Sequence, residues 1–189
     1  DIDTRTGGIT GYSSASPGQI AVDRDLFIPA MKELTATVHV FGGKIAANLR
    51  HLGNIAIPEG GKPAISASAG PNPFGPSRFG HPVGPDSVEA SEEQIEYLLK
   101  AFSDAAFRVK RAGFDVIHIA GHHGFLVNQF LSLRTNKRTD RWGGSLENRL
   151  RFAVTVVQRI KARVGKDMPI VFALPGDEMV PGGMGIEEN

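Results

Sequence analysis

Three histidines crowd one short stretch, His118, His122 and His123 in DVIHIAGHHGF, and imidazole is a common metal ligand. The chain has no cysteine, and no evenly spaced acid joins the three, so no metal is assigned to them. Downstream, LSLRTNKRTDRWGGSLENRLRF packs Arg134, Asn136, Lys137, Arg138, Asp140 and Arg141 into one polar loop closed by Trp142-Gly143-Gly144. Such a loop can grip a ligand or satisfy its own polar groups. Arg134, Arg138, Asp140 and Arg149 read as the second, an ion-pair and backbone network that holds the loop in shape. A third group, Arg50 and His51, ends the short apolar run KIAANL at 44–49.

The elements that must position these residues are legible from periodicity. Leu26, Ile28, Met31, Leu34, Thr37 and Val38 predict a helix over 25–40, with Pro29 tolerable in its first turn. Ser91 with Gln94 forms a capping box for a helix to Arg111, buried through Ile95, Leu98, Leu99, Phe102, Ala105, Ala106 and Val109. Ser145 caps a third helix, whose apolar positions are read as Leu146, Leu150, Val154, Val157 and Ile160, and Gly165 ends it. KIAANL at 44–49, DVIHIA at 115–120 and PIVFAL at 169–174 predict strands. Residues 1–23 read as a connecting loop. Residues 54–90 hold more than half of the chain's 12 prolines and read as a functional or capping excursion.

Helices alternating with strands mean parallel strands joined by right-handed crossovers. The long, chemically rich loops follow strands, whereas the returns from helix to strand are short, at Gly42-Gly43, Ala112-Gly113 and 165–168. A (β/α)8 barrel carries its site on that strand-end face. No G-x-G-x-x-G follows a strand, which weakens a dinucleotide-binding sheet. A complete barrel takes roughly 250 residues and eight strands, so the fold class is α/β, a partial TIM (β/α)8 barrel with about three strands. The 189 residues, 41% hydrophobic, can bury one sizeable core. A net charge of +1 without a basic run argues against nucleic acid or an anionic membrane surface. No apolar stretch is long enough to span a bilayer and no signal-peptide pattern opens the chain, so the expected location is cytoplasmic. The start, DIDTRTGG, reads as a loop without Met, the mark of a fragment.

The stretch GFDVIHIAGHHGFLVNQFLSLRTNKRTDRWGGSLENRLRF closely resembles the Old Yellow Enzyme family of FMN-dependent reductases. KIAANLRHLGN resembles that family's third strand and PIVFALPGDEMVPGGMGIEEN its fifth; GQIAVDRDLFIPAMKEL is most similar to the 2,4-dienoyl-CoA reductase branch. The resemblance implies strands three to five of a single FMN-binding barrel domain, with FMN as cofactor and NAD(P)H as reductant. The implied reaction is reduction of the C=C bond of a small-molecule activated alkene. It also implies that the other strands, with the phosphate-binding loops of the last ones, lie outside these residues. The expectation is therefore that 1–189 alone holds FMN weakly or not at all, and needs the missing barrel half or self-association to cover its inner face.

Carried over residue by residue, the family's flavin-contacting Gln falls on Asn48 and its flavin-neutralising Arg on Ala173. Its substrate-binding His falls on Ala120, the second His or Asn on His123, and the proton-donating Tyr on Phe125. Strand parity turns 48 and 50, 118 and 120, and 171 and 173 toward the barrel interior. His51 and His122 are expected at the substrate. Arg50 either replaces the missing cation near Ala173 or lines the substrate mouth, where the family often has Trp or His. Losing one positioned donor in a dry site typically costs about 10²- to 10³-fold in rate. Ordinary ene-reduction is thus expected to be severely impaired, which leaves a flavin-free, non-catalytic relative, a ligand-binding or assembly protein, as the alternative.

Overall fold

The computed structural model describes residues 22–56, 63–71, 77–78, 81–82 and 86–188. The expected loop over 1–23 lies, but for its last two residues, outside that range. After a turn of 3-10 helix at Asp25–Phe27, α1 runs over Ile28–Val40 and β1 over Ala46–Leu49. Among its described residues the excursion opens in a 3-10 turn, Gly53–Ile55, and holds the two-residue strands β2 (Ile65–Ser66), β3 (Ser77–Arg78), β4 (His81–Pro82) and β5 (Val88–Glu89). Then come α2 (Glu92–Arg111), β6 (Val116–Ala120), α3 (Leu126–Leu131), α4 (Leu146–Val164) and β7 (Ile170–Ala173).

β1, β6 and β7 form one parallel sheet in that order, while β2 pairs parallel with β5 and β3 antiparallel with β4. The register sets Asn48 beside His118 and His118 beside Val171, with Ala120 beside Ala173. α2 crosses from β1 to β6 and α4 from β6 to β7, so the chain is an arc of a (β/α)8 barrel; the described residues do not close it. No helix among them is long and apolar enough to cross a membrane.

The core lies between sheet and helices. Ala47, Leu49, Ile117 and Ile119, each fully buried, alternate along β1 and β6 with the inward positions. They belong to one cluster with Leu98, Leu99, Phe102, Phe152, Val156 and Ile160, and each fully buried side chain of this size stabilises by about 1.5–3 kcal/mol. Phe152 stacks on Phe130 at 4.2 Å between ring centroids and meets Phe102 edge-on. Ser91 accepts from the Gln94 amide N–H and the Gln94 side chain accepts from the Ser91 N–H, the expected capping box.

Two helical stripes differ from the sequence reading. α1 buries Ile28, Met31 and Thr35, whereas Leu26 and Leu34 are exposed, because Thr35 turns its hydroxyl onto the Ala112 carbonyl at 2.6 Å and sets the phase. α4 buries Arg149, Phe152, Ala153, Val156, Ile160 and Val164, leaving Leu146 and Val154 to solvent. Arg149 donates to the carbonyls of Leu131 (2.7 Å) and Gly144 (3.0 Å) and pairs with Glu188, so a charged residue occupies the buried face. The predicted strands persist, those over 44–49 and 115–120 trimmed at the start and that over 169–174 at both ends.

Candidate active site

The inward face of the arc carries Asn48, His118, Val171, Ala120 and Ala173 in two tiers, as parity requires. The Asn48 Oδ1 is buried without a hydrogen-bond partner among the described residues. A buried carboxamide oxygen left unpaired costs about 1–3 kcal/mol. Ala120 and Ala173, by contrast, present only methyl groups. No positive charge and no polar hydrogen stands at either position.

Past the strand ends the chain turns sharply. His123 and Gly124 both take positive φ, 56° and 72°, and Gly124 donates to the Asn128 Oδ1 at 2.8 Å. A histidine held in the left-handed region is a sparsely populated state, which costs of order 1–3 kcal/mol and persists only where the surroundings enforce it. The turn stacks His122 edge-on against His123 with 4.3 Å between centroids, and their Nδ1 atoms share a hydrogen bond. The ring of His118 lies 6.2 Å from that of His122, and the Phe125 ring lies 5.9 Å from His122 and 6.1 Å from His123. Burial lowers the pKa of His122, and electrostatic repulsion from the neighbouring His123, His118 and Arg50 lowers it further. Among the described residues no group of three His, Cys, Asp or Glu side chains is arranged to hold a metal ion.

Arg50 follows β1, and continuing the register from Leu49 opposite Ile119 by one residue sets it beside Ala120. Its guanidinium lies over the Phe125 ring at 5.2 Å, a cation–π contact worth about 0.5–2 kcal/mol. The side chain thus reaches to the mouth formed by His122 and Phe125. Strand β6 lies between β1, which Arg50 follows, and Ala173 on β7.

His51 differs from the expected substrate contact. It is 2% exposed, its Nδ1 accepts from the Gly53 N–H at 3.0 Å, and its Nε2 is buried without a partner among the described residues. Desolvation pushes its pKa down to about 3, so it is neutral. Its backbone carbonyl accepts from the Leu126 N–H at 2.8 Å, which makes it part of the seam between the two site loops.

Gln129 closes that seam and was not singled out by sequence reasoning. It is 1% exposed. Its Oε1 accepts from the Asn54 N–H and the Ser66 hydroxyl; its Nε2 donates to the carbonyls of Leu52 and Gly124 and to the Asn54 side chain. Gly53, at φ 61°, lets the carboxamide in, because a Cβ there would collide with it. Glu178 does the same for the loop after β7, accepting from Asn128, Ser132 and the Met184 N–H.

The charged loop is mostly structural, as expected. Arg138 is buried; it donates to the Ala67 and Ala90 carbonyls at 3.0 and 2.8 Å and pairs with Asp140, stitching the excursion to the loop. Asn136 donates to the Phe130 and Trp142 carbonyls and accepts from the Arg138 N–H. Arg134 is exposed.

Three comparisons bear on this arrangement. A family model described as NADH:flavin oxidoreductase / NADH oxidase matches residues 4–189. The chain is similar to the NADH oxidase of Thermoanaerobacter brockii, 40% identical over 174 residues, covering 90% of this chain and 25% of that protein. It is also similar to the cinnamate reductase of Clostridium sporogenes, 43% identical over 147 residues, 76% of this chain and 21% of that one. Among solved structures, histamine dehydrogenase from Rhizobium sp. 4-9 superposes with a TM-score of 0.85 at 32% identity, covering 96% of this chain and 26% of that one. The chain thus spans about a quarter or less of the length of each of these relatives.

Proposed function

The chain belongs to the NADH:flavin oxidoreductase / NADH oxidase family, and on that premise we propose that it is part of an FMN-dependent NAD(P)H oxidoreductase that reduces the C=C bond of activated alkenes. In this reading residues 1–189 are a segment of a single FMN-binding barrel domain, and the excursion over 54–90 caps its site. The observation that carries the reading is the Asn48 Oδ1, a buried acceptor without a partner among the described residues, on the inward face of parallel strands. It fits an N–H donor on the edge of a flavin ring. The cinnamate reductase, named for an alkene substrate, supports the reaction class.

FMN, when bound, would supply the hydride-transfer chemistry between NAD(P)H and the alkene. The chain's own residues do the rest. Asn48 would orient the ring edge, and His123, fixed by its left-handed turn, would hold the activating group of the substrate. Phe125 has no proton to give, so it cannot be the acid that protonates the α-carbon. His51 and Gln129 act as positioning residues, holding the two loops that carry Arg50 and His123. Val171 is 51% exposed on the inward face, which supports a reading in which the rest of the barrel or a second copy covers it.

The experiment is to purify the protein that carries this chain, identify any released flavin chromatographically, and follow bleaching of the visible flavin band by NADH or NADPH without oxygen. A yellow protein bleached by reduced nicotinamide and recoloured by an enone is the expected result. A second reading rests on Ala120, Phe125 and Ala173, where the family's donors and cation are replaced by groups that can neither donate nor carry charge. A colourless protein that takes up no added FMN would favour that reading, a flavin-free, ligand-binding relative.

A further inference from the structure

Among the described residues two that are not glycine take positive φ, His123 at 56° and Met179 at 52°. One follows β6 and the other β7, and the side chains of Asn128 and Glu178 join those two loops by a hydrogen bond of 2.9 Å. The turn at 122–125 is closed by the Phe125 N–H on the His122 carbonyl at 3.1 Å, with His123 and Gly124 at its centre. A His-Gly pair in such a turn fits type II, where only the glycine needs positive φ. Here His123 is held left-handed as well, so something outside the turn must hold it. The Gly124 N–H belongs to the peptide that links the two central residues, and the Asn128 Oδ1 accepts from it at 2.8 Å.

Asn128 is 3% exposed, and what orients its carboxamide is Glu178. One oxygen of that carboxylate accepts from the Asn128 Nδ2, and the other accepts from the Ser132 hydroxyl at 2.6 Å and the Met184 N–H at 2.7 Å. The Glu178 N–H in turn donates to the Met184 carbonyl at 2.9 Å, so the loop after β7 closes on this one side chain. A carboxylate only accepts, so it fixes the Asn128 NH2 toward itself and the Asn128 oxygen toward Gly124. We propose, on the reading that His123 holds the activating group of the substrate, that Asn128 and Glu178 are its positioning residues. Glu178 orients Asn128, and Asn128 holds the left-handed turn that sets the His123 imidazole at the mouth.

The donor count supplies the test. Glu178→Gln has to turn its new NH2 toward either the Asn128 NH2 or the Met184 N–H, and Asn128→Asp sets carboxylate against carboxylate. Both changes together satisfy every bond again: the new carboxylate at 128 accepts from the Gly124 N–H and from the new amide at 178, whose oxygen still accepts from Ser132 and Met184. In the flavin-loaded protein, reduced beforehand with dithionite, recolouring by 2-cyclohexenone reads the hydride step and hydrogen exchange over 122–127 reads the turn. Each single variant should recolour about 10- to 100-fold more slowly, the range that a misplacement of about 1 Å reaches, and exchange faster over that stretch. The double variant should return both to within a few-fold of wild type, and in a His123→Ala background Glu178→Gln should cost nothing further. A double variant no better than the singles, or an equal loss from Glu178→Gln with and without His123, overturns the positioning role while bleaching of the wild-type flavin by NADH still upholds the oxidoreductase reading. Wild-type recolouring by His123→Ala overturns the substrate role of His123 and this inference with it. A wild-type protein that takes up no flavin overturns the oxidoreductase reading and everything resting on it.

Discussion

Acid should destabilise this fold through His51 before it reaches the carboxylates. The imidazole has no exposed surface to speak of, and desolvation holds its pKa at about 3 against an unfolded value of 6.5. The unfolded chain therefore binds one more proton than the folded one between those two values, and stability falls as pH drops through 6.5 toward 3. At pH 5 the gap from 6.5 is about 1.5 pKa units, worth about 2 kcal/mol, nearly all of it absent at pH 7. His51→Asn keeps an acceptor near the Nδ1 position for the Gly53 N–H but removes the titration. Urea unfolding of both proteins at pH 7, 6 and 5 isolates the histidine. Asp115, with its pKa held low by His39, the Ile45 N–H and Lys44, loses its own contribution at lower pH and does so in both. The variant is expected to be less stable at pH 7 and to close about 2 kcal/mol of that gap by pH 5. A wild-type-minus-variant difference that stays flat across that range refutes the neutral, desolvated His51.

Gln129→Leu should cost about 2–4 kcal/mol, because it strands the Asn54 N–H and the Leu52 and Gly124 carbonyls in the interior, and thermal melts read it directly. In the flavin-loaded protein the same change should loosen the Arg50–Phe125 stack and weaken substrate analogues, an effect that a loss of global stability alone would not produce below the melting transition. Ala173→Arg should place a cation on the inward face of β7 and raise the flavin reduction potential on the order of 30 mV, about 1.4 kcal/mol for a two-electron couple. A potentiometric titration that shows no rise means the arginine does not face the ring.

What could be read in the sequence depended on whether the physics was local. The stripe of α2 was legible, but for the small Ala101 and Ser103 at its edge, because seven apolar side chains and a reciprocal Ser91–Gln94 cap all say the same thing within one helix. α4 had a clear period as well, yet its phase was misread: Arg149 sits on the buried face, and an apolar template cannot know that two carbonyls and Glu188 wait there for a guanidinium. α3, six residues between a strand and a charged loop, is too short for a period to show. Parity placed Asn48, His118 and Ala120 on one face because alternation along a strand is a local rule. Where the Arg50 guanidinium ends depended on Phe125, far along the chain, and the motif supplied that residue without its direction. His51 and Gln129 show the same limit from the other side. Their types invite chemistry at a substrate, but the interior claims them for the Gly53 and Asn54 amides. Ala120 and Phe125 offer no polar group where the motif would carry one, and the chain places Arg50 beside the first and over the second.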